Sequence, residues 1–229
     1  MEWTATLLSG FSDVENDPLS VVGLAADHAA IADNGDGTYT VTPAKDYNGS
    51  LTLTWSVSDG VLSVPASTSV AIAAVNDAPV VANAGNTVTF TENGAAVTVD
   101  AGLTVTDVDS LNLSSASVTI SNGFVTGDVL SATTTGTSVT ASYDAANHRL
   151  NLTGSDTLAH YQTVLRTVTY TTSSDNPTNF GSNPTRTVDW SVSVANHSGR
   201  PSYEVPYCST VIRPGWAAAV ACNQAVRSS

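Results

Sequence analysis

The stretch "AAVNDAPV", residues 73–80, decides how the chain is divided. Before it, "STSVAIAAV" alternates small or polar residues with apolar ones, the period of a half-buried strand. After it, "VVANAGNTVTFTENG" reads as strand again. Between them stand Asn76 and Asp77, then Ala78 and Pro79. Pro79 has a fixed φ and pushes Ala78 towards an extended conformation, so the break is a semi-rigid connection. Two side-chain oxygens set just before it make it either a polar turn or half of a cation site.

Working outward, turn signals punctuate both flanks. Asn34-Gly35-Asp36-Gly37 separates "AAIAD" from "TYTVTP", a hairpin signal. Tyr47-Asn48-Gly49 turns the chain into "SLTLTWSVS", where Leu51, Leu53, Trp55 and Val57 share one face. Asp59-Gly60 turns it again. Strands this short, with turns this frequent, argue for an all-β sandwich. The 229 residues suffice for two modest domains. "LTLTWSVSDG" (51–60) and "RTVDWSVSVAN" (186–196) share W-S-V-S, and "GFSDVENDPLSV" and "LTVTDVDSLNLSS" share an acidic D-V-[ED] segment. We therefore read two repeats, residues 1–79 and 80–199, followed by an atypical tail over 200–229. In the second repeat, Leu158, Tyr161, Val164 and Leu165 recur at helical spacing after Ser155 or Asp156 as cap. A short helix is expected there, crossing from one sheet to the other, with its apolar face in the core. Trp55 and Trp190 follow the apolar alternation and are expected to be core residues.

Composition bounds the function. The formal charge is −13, from 20 acidic and seven basic residues, with Lys45 the single lysine. That excludes nucleic acid, which needs basic patches, and docking on an anionic membrane. No apolar run approaches the ~20 residues of a membrane span, so no membrane insertion is expected. "MEWTATLLSG" lacks the basic start and apolar stretch of a signal peptide, and Met1 reads as the start of a piece of a longer chain. Residues 1–199 hold 19 of the acids, four of the bases and no cysteine. The tail holds the other three bases, Cys208 and Cys222. Its alternation stops near Asn196, so it reads as disordered or non-native. The two cysteines could pair.

These motifs together resemble the tandem cadherin-like repeats of large bacterial surface adhesins and RTX-type proteins. Repeat 1 carries "ATLLSGFSDVENDPLSVVGL", "DNGDGTYTVTP", "DYNGSLTLTWSVSDG" and "AAVNDAPV" in the family's order. Repeat 2 resembles a longer companion, with "TENG", "LTVTDVDSLNLSSASVTI", "GDVL", "LNLTGSDTLAHYQTVLRTVTYT" and "DNP". The resemblance covers about residues 5–195 and fails over the tail. It implies Ig-like β-sandwich modules strung end to end, secreted and extracellular at the cell surface, with neighbouring repeats of the same chain as partners. Cell adhesion is the implied role of the whole protein.

The resemblance also implies junction calcium. In cadherin-type junctions a linker Asn-Asp, a Glu in the next domain's first strand and an Asp-x-Asp form such a site. Here these are Asn76, Asp77, Glu92, Asp107 and Asp109, with Asp46 as the contribution of repeat 1 and Asp59 a weaker candidate. Ca2+ takes about 6–8 oxygens, which no single strand presents. Asp107 and Asp109 are two apart, so an extended segment points both carboxylates the same way. The competing reading makes residues 107–110 a polar turn. Asp13, Glu15 and Asp17 form the equivalent cluster in repeat 1, an orphan half-site expected to be open and solvated. The alternative function is a ligand-binding sandwich without structural calcium, taking carbohydrate or another protein, including a copy of itself.

Other motifs lead nowhere. An EF-hand starting at Asp33 would need oxygen ligands where Gly35, Gly37 and Ala44 stand. His28, His148, His160 and His197 lack zinc-ligand spacing. G-x-S-x-G is missing, so no nucleophile elbow is indicated. Asp144 and Asp156 are separated carboxylates with nothing to mark a glycosidase cleft. No enzyme is expected.

Overall fold

The computed structural model describes residues 3–195 and 204–214. The chain divides into two units, Met1–Val75 and Asn76–Ser229. Residues 76–79 of the connection thus group with the second unit. Both units are β-sandwiches, and the second contains one helix.

Unit 1 is built from β1 (Trp3–Ala5), β2 (Ser20–Ala26), β3 (Ala29–Asp33), β4 (Tyr39–Pro43), β5 (Gly49–Ser58) and β6 (Ser63–Ile72). They form two three-stranded sheets, ordered β1-β4-β3 and β2-β5-β6. The hairpin at residues 34–37 closes as its sequence demands: Asp33 faces Tyr39, and the Asn34 N–H donates to Thr38 O at 3.1 Å. On β5, Leu51, Leu53, Trp55 and Val57 are buried, and Val41 of β4 packs with them. The period-two pattern therefore decides which face of β5 is core.

Unit 2 comprises β7 (Val80–Ala82), β8 (Thr87–Phe90), β9 (Val97–Thr98), β10 (Thr104–Thr106), β11 (Asn112–Asn122), β12 (Asp128–Ser131), β13 (Thr140–Asp144), β14 (Arg149–Thr157), α1 (Leu158–Arg166), β15 (Thr169–Thr172), β16 (Arg186–Ser193) and β17 (Glu204–Pro214). A six-stranded sheet, β13-β14-β11-β16-β17-β8, is accompanied by a three-stranded sheet, β12-β15-β9, and a two-stranded one, β10-β7. Register lines up one inner face: Val118 sits opposite both Leu150 and Trp190, and Ile120 opposite Val188. Leu130 and Tyr170, paired across β12 and β15, belong to the same buried cluster.

The helix lies where the spacing placed it and carries the chain from β14 to β15, which belong to different sheets. Tyr161, Val164 and Leu165 are buried. Its cap is Thr157, whose hydroxyl accepts the His160 N–H at 3.2 Å, and not Ser155 or Asp156. Strand β14 continues through Thr157, so that threonine, itself still extended, is the residue directly before the helix and takes the cap position. Asp156 instead receives the Ser138 N–H at 2.6 Å and pairs with His160 at 2.7 Å.

The tail differs from its sequence reading. Residues 204–214 run as β17, antiparallel to β16 and, over residues 211–214, parallel to β8. The prolines disguised it. Pro206 faces Ser191 where β17 has no second neighbour, and Pro214 is the strand's last residue, so neither position interrupts the sheet. The Cys208–Cys222 pairing, His197 and the Asn196 triplet lie outside the described residues.

Candidate functional site

Five expected ligands, Asn76, Asp77, Glu92, Asp107 and Asp109, belong to unit 2. The segment between β10 and β11 is a tight polar bend, not an extended run. Asp107 Oδ1 accepts the N–H groups of Asp109 (3.0 Å) and Ser110 (2.8 Å). This is ordinary Asx chemistry: a short carboxylate caps the amides that follow it. The bend still brings both acids together with the linker. Asp109 Oδ2 accepts the Asp77 N–H at 3.0 Å, and Asp109 Oδ1 faces the Ser110 hydroxyl at 3.3 Å. Asn76 turns its amide back on the Asp77 carbonyl at 2.8 Å.

Asp107 Oδ2 is buried with no hydrogen-bond partner among the described residues. Burial first, and then the Asp109 carboxyl beside it, raise the Asp107 pKa above its ordinary value. Asp109 moves the other way. Burial opposes the shift, but the Asp77 N–H and the Asp107 carboxyl beside it outweigh it and hold the pKa below its ordinary value. Two interacting carboxyls, one with an unsatisfied buried oxygen, form a place where positive charge lowers the energy, whether a proton or a hard cation.

Glu92 is exposed in the turn after β8, not within the first strand of the unit, because β8 ends at Phe90 and the Thr91–Gly94 turn follows. Asp46, in unit 1, has a left-handed backbone (φ 61°) and pairs with Lys45 at 2.7 Å. No cluster of three or more His, Cys, Asp or Glu side chains able to hold a metal occurs among the described residues. In unit 1, Asp13 Oδ1 accepts the N–H groups of Glu15 and Asp17, both at 3.0 Å, while the Glu15 and Asp17 side chains are exposed. The leading aspartate of each D-V-[ED] segment thus does the same local work. Asp59 likewise caps its hairpin, accepting the Val61 and Leu62 N–H groups at 2.7 Å.

One buried polar feature among the described residues went unseen in the sequence. Asp128, at the start of β12, is buried against Arg186, at the start of β16. Arg186 Nε donates to Asp128 Oδ2 at 2.5 Å, and Nη2 to Asp128 Oδ1 at 3.3 Å. Tyr170 donates its hydroxyl to Asp128 Oδ1 at 2.6 Å, and the Val125 N–H reaches Oδ2 at 2.8 Å. Burial, then the Asp128 carboxylate, push the Tyr170 phenol well above its ordinary range. A signal existed: Arg186 shares the inward phase of Val188, Trp190 and Val192, and an inward arginine requires a buried acid.

His28 stacks on Tyr47 and His148 on Phe124. His28 and His148 are left-handed turn residues.

Several solved structures resemble the chain. The crystal structure of human protocadherin-24 EC1-2, form II, is 17% identical, with a TM-score of 0.39, over 89% of this chain and 85% of that one. S-layer protein SbsC domains 4 and 5 are 13% identical with a TM-score of 0.26, over 89% and 78%. An endo-fucoidan hydrolase of glycoside hydrolase family 107 is 16% identical with a TM-score of 0.31, over 93% of this chain. The chain spans only 26% of that hydrolase. No curated protein matches. Residues 3–73, almost all of unit 1, match the family model described as a cadherin-like domain.

Proposed function

We propose that the chain is a pair of adhesive, cadherin-like modules from a large secreted protein of the bacterial surface. The modules extend a binding tip away from the cell. Calcium bound beside the connection stiffens the pair. The observation that carries this reading is the unpartnered, buried Oδ2 of Asp107 beside the Asp109 carboxyl, itself tied to the Asp77 amide of the linker. Asp107 and Asp109 would supply the charge. Asn76, Asp77, Glu92 and Asp46 remain the further candidates, with backbone carbonyls or water completing the 6–8 oxygens that Ca2+ requires. The donor set is small, so binding is expected to be weak. Calcium would act by linkage, since an ion held only by the folded arrangement stabilises it.

The test is the melting temperature of the full chain in millimolar CaCl2 and in EDTA, with Asp107→Ala/Asp109→Ala as control. A rise in Ca2+ that the double variant loses is expected. A parent with equal melting temperatures in both buffers would reduce residues 76–79 to a spacer.

A further inference from the structure

Residues 173–185 join β15 to β16 at the end of unit 2 where β11 finishes, and play no part in the acidic site. Asn179, Phe180 and Gly181 are three consecutive left-handed residues, with φ of 48°, 55° and 83°. For phenylalanine this conformation is an outlier. It persists only where surrounding contacts over-determine it, and here they do. Asn176 Oδ1 accepts the Phe180 N–H at 3.0 Å, and the Thr178 carbonyl accepts the N–H groups of Gly181 (3.0 Å) and Asn183 (2.9 Å). The buried Arg186 guanidinium then grips both shoulders of the loop, donating to Pro177 O at 2.6 Å and Asn183 O at 2.9 Å.

This rigid frame keeps an apolar ring in water: Phe180 is 94% exposed. Its neighbours Asn179, Gly181 and Ser182 are exposed as well. Residues 176–185 carry no charged side chain, in a chain of net charge −13. A convex tip is not a pocket for a small molecule, which needs a concave site. Without basic residues it is no site for nucleic acid either. It offers an aromatic ring with its electron-rich faces open, flanked by an amide and a hydroxyl. Such a set matches the C–H face and hydroxyl rim of a pyranose unit in an extended, uncharged chain.

We propose that residues 176–183 form a preorganised binding loop for a neutral polysaccharide, with Phe180 as its stacking platform. Rigidity of this kind raises affinity because the loop need not be ordered on binding. The inference does not rest on the calcium reading, and its test runs in EDTA.

The full chain, Phe180→Ala and Phe180→Trp are compared by affinity electrophoresis in gels containing xylan, galactomannan, mixed-linkage β-glucan or hydroxyethyl-cellulose. Pull-down on insoluble chitin and cellulose completes the panel. At least one polysaccharide should retain the parent. Phe180→Ala should weaken that binding about tenfold, and Phe180→Trp, with a larger face, should keep or strengthen it. Unchanged melting temperatures of both variants would confirm that they fold. If no polysaccharide in the panel retains the parent, or Phe180→Ala binds equally well, the proposal fails. Sedimentation velocity of parent and Phe180→Ala identifies the rival. Self-association that the variant loses, without polysaccharide binding, would make the ring a protein contact and overturn the proposal.

Discussion

Arg186→Met is the sharpest test of what holds unit 2 together. The substitution keeps apolar bulk but removes every donor that Arg186 supplies. Asp128 would keep the Tyr170 hydroxyl and the Val125 N–H, while losing the guanidinium contacts at 2.5 and 3.3 Å. The carbonyls of Pro177 and Asn183 would lose their donors at the same time. Breaking one side of a buried pair typically costs about 3–5 kcal/mol, mostly from the stranded charge. Two retained donors put this case at the lower end, about 3 kcal/mol. With a urea dependence of about 1–3 kcal/mol per molar, the midpoint should fall by roughly 1–3 M. The assay is urea unfolding of the full chain read at the Trp190 indole N–H by NMR, with the Trp55 indole reporting unit 1 in the same tube. Adding Asp128→Leu removes the stranded charge and should restore much of the loss. A single-variant shift below about 0.3 M, or a double variant no better than the single, would refute the reasoning.

Three further outcomes follow from particular contacts. In EDTA, Asp107 should titrate above and Asp109 below the ordinary carboxylate value, followed by carboxyl-carbon NMR. Because the folded-state pKa of Asp107 is raised, its contribution is present at low pH and is lost as pH rises through that value, whereas that of Asp109 is lost as pH falls through its own; a matching pair of titrations would contradict the geometry. Gly123→Ala would set a Cβ 1.9 Å from the Thr185 carbonyl at a φ of +76°, so unit 2 should lose roughly 1–3 kcal/mol in the same urea assay. Thr157→Ala removes the helix cap and should cost about 1 kcal/mol, whereas Thr157→Ser should cost little; equal losses would show that the hydroxyl is not what matters.

Much of the architecture is written locally. Asn34-Gly35-Asp36-Gly37 and Asp59-Gly60 specify their turns through residues that adopt the required backbone at low cost. The core face of β5 follows from alternation, and α1 from the spacing of Tyr161, Val164 and Leu165. What escaped is non-local. The Asp128–Arg186 pair joins positions 58 residues apart, and alternation alone cannot say which acid meets an inward arginine. Residues 107–110 were legible both as an extended run and as a polar turn, and the sequence did not choose between them, because the Asx contact competes with extension. Glu92 was assigned by analogy of position, and the strand stops before it. Phe180 gave no signal at all, since its left-handed backbone depends on Arg186 and on hydrogen bonds made within the folded loop.

The pairing of β17 with β8 also governs the order in which the units can form. In unit 1 two of the four strand pairs, β3 with β4 and β5 with β6, join sequence neighbours, and the other two reach no further than Trp3 to Val41 and Ser20 to Ser58, so loop closure there is short. In unit 2 the β8 strand waits for residues 211–214, more than 120 positions later. Non-local parallel pairing is slow and leaves strand edges open while it is incomplete. A chain emerging from its N-terminus would therefore complete unit 1 first, and hold β8 as an unpaired edge until β17 arrives. That interval is when a neighbouring repeat, which shares short strand motifs such as W-S-V-S, could supply the wrong strand.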